Sequence, residues 1–169
     1  MTNEKAVEDL ERADLLETLS VHRSFLRRTV RDLTDAQARE RTTVSELCLG
    51  GVIKHVTRME QRWAEFVVRG PADGGVDLEA HAASFRMLEG ETLAGLLENY
   101  AQAARRTDDL VASLGSLDDS HPLPPAAWFP AGTRWSARRV LLHVIAETAQ
   151  HAGHADIIRE SLDGAKTMG

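Results

Sequence analysis

Three of the chain's seven histidines fall within twelve residues, in the segment His143-Val-Ile-Ala-Glu147-Thr-Ala-Gln-His151-Ala-Gly-His154. On a helix turning about 100° per residue, with His143 at zero, Glu147 projects near 40°, His151 near 80° and His154 near 20°. One face therefore carries three imidazoles and a carboxylate. Leu141, Val144, Ala152 and Ala155 follow beside them, so the polar stripe borders the apolar one that faces a core. An unpaired carboxylate at that boundary costs several kcal/mol unless something neutralises it. A divalent cation does so, and residues at i and i+4 present their heads on the same side of a helix. Three protein ligands with open positions is the catalytic pattern, and a closed shell of four is the structural one.

A third ligand must come from another element, and His55 offers one. With His55 at zero, Phe66 lies near 20°, Met59 near 40°, Trp63 near 80° and Val56 near 100°. Its imidazole is thus at the edge of an apolar stripe, as the later cluster is, and two such faces can close on one ion. Either His143 or His154 could replace Glu147 in that set.

The elements that must position these groups are long helices. Apolar residues recur at threes and fours over 6–33, and Thr34-Asp35 either ends that helix or restarts a short turn. A second helix is expected from Ser45 and stops at Arg69-Gly70-Pro71. The pair Gly50-Gly51 weakens its first turns by about 1 kcal/mol each against alanine. The pair marks either the true boundary or the close approach of another segment. A third helix is expected over 92–114, and a fourth from an N-cap at Ser136 to about residue 162. Connections of about 20 residues join these rods at 71–90, with a short helix expected near 78–85, and at 115–135; connections of that length tend to be functional. The expected fold is all-α, one domain over 1–169, a four-helix bundle with long crossover connections.

Composition narrows the function. The 169 residues are 43% apolar and 27% charged, with a net charge of −6 and no basic run, which argues against a nucleic-acid partner. No stretch approaches the ~18 uninterrupted apolar residues of a membrane span, and the opening residues are too charged for a signal peptide. The lone Cys48 cannot close an internal disulfide, and a cytoplasmic location is expected. Flanked by apolar residues, it is expected to be a small core side chain, so no side-chain nucleophile is predicted. Only Lys5, Lys54 and Lys166 of the 20 basic residues are lysine, and Asn3 and Asn99 are the only asparagines, as expected of a GC-rich, actinobacterial genome.

The strings GGVIKHVTRMEQRW and RWSARRVLLHVIAETAQHAGHADIIRESLDG resemble the DinB-like metal-binding bundle superfamily, and within it the mycothiol-dependent and thiol-S-transferase branch. In the commoner version of that family the last helix supplies two histidines four apart. In the mycothiol-dependent maleylpyruvate isomerase type the first is a glutamate, as here. The resemblance implies a DinB-like bundle holding one divalent ion, zinc or nickel, on His55, Glu147 and His151, with His143 and His154 supporting the ligands or lining the pocket. It implies a low-molecular-weight thiol as cosubstrate, and the residue bias toward a GC-rich source favours mycothiol. Thiol and electrophile would be the small-molecule partners of a detoxifying transferase, and bundles of this kind often form homodimers. A thiol of pKa near 8.5 is mostly protonated at neutral pH, whereas a metal-bound one is deprotonated and nucleophilic. The same open position could activate water for hydrolysis, or the bundle could bind a metal or ligand without catalysis. Trp63, Trp128 and Trp135 are candidate pocket walls. Arg138-Arg139 could face an anionic thiol, while His22, His81 and His121 are assigned to structural or surface roles.

Overall fold

A computed structural model describes residues 2–72, 78–125 and 129–167. Four long helices, α1 (Thr2–Arg28), α3 (Leu49–Arg69), α5 (Leu93–Ser113) and α6 (Ala137–Asp163), form an all-α bundle. Two short helices, α2 (Asp35–Arg39) and α4 (Leu78–Ser84), lie in the connections. α3 is the central rod and packs on both α5 and α6, while α1 lies along α6. Leu26, Val52, Ile53, Val56, Tyr100, Val144 and Ala155 meet in the main core. Among the described residues no helix is long and apolar enough to cross a membrane.

The helix boundaries follow their caps. Ser136 Oγ accepts the Arg139 N–H at the start of α6, and Gly164 closes that helix in the left-handed region at φ 78°. Thr92 caps α5 through the Gly95 N–H. Thr34 and Gln37 form a reciprocal capping box, so the Thr34-Asp35 break restarts the chain as α2.

Three boundaries differ from expectation, the first being the start of α1 at Thr2, not at residue 6. The first helix ends at Arg28, not near residue 33, and the chain reverses at Asp32 with φ 62°. Arg159 of α6 accounts for this by donating to the carbonyls of Thr29 (3.0 Å) and Arg31 (2.8 Å), so the unwound turn is satisfied from another helix. The second helix begins at Leu49 with Cys48 at its cap, not at Ser45. The Ser45 hydroxyl accepts the Leu47 N–H instead, a local bond that competes with helix.

The long connection before α6 carries a two-stranded antiparallel ribbon. β1 (Ser120–Pro122) pairs with β2 (Arg134–Ser136), with His121 opposite Trp135. Three residues per strand are too few to show an alternating pattern. His121 Nε2 lies 3.2 Å from the Val67 carbonyl and packs against Gly70, which pins the ribbon to the end of α3.

Candidate metal centre

His55 stands in the second turn of α3, and Glu147 and His151 stand one turn apart on α6. One ligand atom from each lies within 4.8 Å of the others. The His55 and His151 rings are 4.8 Å apart, and His151 Nε2 lies 3.6 Å from Glu147 Oε2. Trp63, two turns on from His55, meets His143, two turns back from His151. α3 and α6 therefore run antiparallel across the cluster. His55 and His151 are only 5% and 8% exposed, and Glu147 is half-buried.

Burial pushes the His55 imidazole down to about 4, with His151 and His81 adding to the effect and Glu147 opposing it. The hydrogen bond with His151 holds the Glu147 carboxyl below its usual range despite burial. Near neutral pH the site thus offers a neutral His55 and an ionised carboxylate, the forms that ligate metals. Two imidazole nitrogens and one carboxylate oxygen, converging and largely dry, fit zinc or nickel.

The crossover between α3 and α5 supplies groups that the sequence did not single out. Ser84 Oγ lies 2.9 Å from His55 Nδ1, and the Phe85 ring stacks on His55 at 3.8 Å between centroids. His81 is exposed, and its ring is 5.4 Å from that of His55. Gly50 and Gly51 are not a helix boundary but the place where this segment seats. A Cβ on Gly51 would fall 1.9 Å from the Phe85 carbonyl oxygen, and one on Gly50 would fall 2.4 Å from Met87 Sδ. That double glycine was the available signal for a segment lying against the site. On the other side, His154 Nδ1 is 3.5 Å from His151 Nδ1.

The family model of mycothiol-S-transferases matches residues 14–164. The chain belongs to the mycothiol-S-transferase family. A crystal structure of a conserved protein from Enterococcus faecalis is similar over 90% of this chain and 97% of that one, with a TM-score of 0.63. At 17% identity that likeness is one of fold. No curated protein matches the chain.

In this mycothiol-S-transferase family member an aromatic cluster continues the site along the two helices. Trp63 and Trp135 stack at 4.9 Å, and His143 lies edge-on to both, at 4.9 and 5.0 Å. Burial lowers the His143 pKa against the pull of Glu147. Trp128 lies outside the described residues. Of the two arginines, Arg138 does not face the site. It docks on α1 through Glu11, at 3.0 Å from Oε2, and on Asp118. Arg139 lies 4.3 Å above the Trp135 ring. Cys48 is a buried free thiol in the core, and His22 packs beside Phe25. Two open clefts, of about 770 and 510 Å³, lie away from the triad, between α1 and α5 and between α3 and α5.

Proposed function

We propose that the protein is a metal-dependent transferase that conjugates a low-molecular-weight thiol, mycothiol, to electrophilic small molecules. His55, Glu147 and His151 would hold the ion. The observation that carries the reading is the convergence of these three donors within 4.8 Å in a chain of this family. A bound divalent cation would supply Lewis acidity that keeps a thiol in its nucleophilic thiolate form near neutral pH.

The chain's own groups do the rest. Against a divalent cation, Glu147 would contribute the one formal negative charge of the three ligands, so a net positive charge would remain and favour an anionic sulfur at the centre. Burial of both histidines excludes water and strengthens every electrostatic interaction there. Trp63 and Trp135, with His143 edge-on to both, present an aromatic wall one turn from Glu147, suited to the organic part of an electrophile. With an activated chloroarene a carbon–sulfur bond forms, chloride leaves with the carbon–chlorine electron pair, and the thiol proton passes to solvent. The proposal takes the chain as one domain working in the cytoplasm, where Cys48 stays reduced.

The test is to incubate zinc-loaded protein with mycothiol and such a chloroarene and to follow the conjugate. Conjugate that needs the thiol and is lost in His151→Ala is the expected result. Loss of electrophile without thiol points to hydrolysis. No turnover with any thiol leaves a binding bundle and overturns the transferase reading.

A further inference from the structure

The crossover that packs on the start of α3 does more than cover it. Ser84 is 2% exposed, and its Oγ has two neighbours. It lies 2.6 Å from the His81 carbonyl oxygen and 2.9 Å from His55 Nδ1. A carbonyl only accepts and a hydroxyl carries one proton, so that proton goes to His81. Toward His55 the Ser84 oxygen can then only accept. Nδ1 must be the protonated nitrogen, and Nε2 keeps the lone pair. The Phe85 ring, 17° from parallel with the imidazole, fixes the plane in which that lone pair lies. The segment can come this close only because Gly51 has no Cβ.

We propose that Ser84 is a positioning residue for the metal centre: its hydroxyl, directed by the His81 carbonyl, sets His55 as the Nδ1–H tautomer and leaves Nε2 as the ligating atom. This rests on the reading of His55, Glu147 and His151 as the ligand set. Hydrogen bonding to the far nitrogen of a ligating histidine fixes tautomer and ring orientation and raises ligand basicity, and its loss typically costs about 10–100-fold in metal affinity. The centre is thus built from three elements, with α3 and α6 giving ligands and the crossover selecting the nitrogen that one of them uses.

The test measures zinc affinity by chelator competition in the wild type and in Ser84→Ala, Ser84→Thr and His151→Ala. ¹⁵N shifts of the His55 imidazole in metal-free protein provide a second readout. Ser84→Ala should bind zinc about tenfold or more weakly, with unchanged circular dichroism, and should show His55 as a tautomer mixture. Ser84→Thr, which keeps the hydroxyl, should retain the Nδ1–H tautomer. If Ser84→Ala binds zinc as the wild type does, or keeps one Nδ1–H tautomer, the proposal is overturned, while loss of binding in His151→Ala would still support the ligand set. If the wild type binds no zinc, both fall together.

Discussion

Two buried charge clusters lie five residues apart on α3, and they have opposite chemistry. Glu60 is fully buried, yet Arg23 reaches it through two nitrogens, with Nε at 3.2 Å from Oε2. A third nitrogen of Arg23 lies 2.8 Å from Asp108, so α1, α3 and α5 are joined by charges that satisfy one another. His55, Glu147 and His151 are also drawn together, but their company is one carboxylate and imidazoles, and among the described residues no arginine or lysine is bonded to them. The first cluster is complete and structural. The second brings three donor atoms of the kind that ligate metals within 4.8 Å of one another. Burial alone does not separate structure from site; whether the charges are already matched does.

The comparison can be broken by removing one member of each. Glu60→Ala should be the most damaging change, because it strips the buried Arg23 guanidinium of its buried carboxylate and leaves it only the partly exposed Asp108, at a cost of about 3–5 kcal/mol in denaturant unfolding with or without metal. His151→Ala should show the reverse profile. Wild type should carry about one divalent ion per chain by elemental analysis and the variant should lose most of it, while unfolding in chelator changes little. Equal metal in both would remove His151 from the ligand set.

Gly51→Ala sharpens the contrast, since its new Cβ meets the Phe85 backbone and not a flexible tip. It should destabilise by about 1–3 kcal/mol and weaken zinc binding by displacing Ser84 and Phe85 from His55. Loss of stability without a change in zinc affinity would show that the seat and the site are uncoupled. The smallest effect is the pH dependence of the metal-free protein. Burial depresses the folded His55 pKa to about 4 from an ordinary 6.5, so its contribution is fully present above pH 6.5. As the pH falls toward 4 the unfolded chain takes up this proton first and stability declines. Thermal melts of His55→Gln in chelator should lose that part of the slope, and an unchanged slope would place the effect elsewhere.

Much of this was legible because it is local. The stripe from His143 to His154 needs only helical periodicity, and the caps of α6 at Ser136 and Gly164 are written in neighbouring residues. His55 was found because it lies at the edge of an apolar face. What was not legible depends on distant partners. The end of α1 is decided by Arg159, about 130 residues away, and Arg138 is drawn to Glu11 across 127. Ser84 reads as an ordinary loop serine until the fold places it on His55. The double glycine carried two meanings, and packing against Phe85 and Met87 selects one.

The β1–β2 ribbon imposes a rule of parity on the chain around Trp135. Side chains on paired strands alternate between faces, so moving the pairing by one residue exchanges inside for outside. With His121 opposite Trp135, the indole meets Trp63; one step of slippage would turn it away and offer Arg134 or Ser136 instead. Insertions between the strands leave that arithmetic intact, whereas a single residue gained within either strand would dismantle the aromatic wall without touching any residue in it.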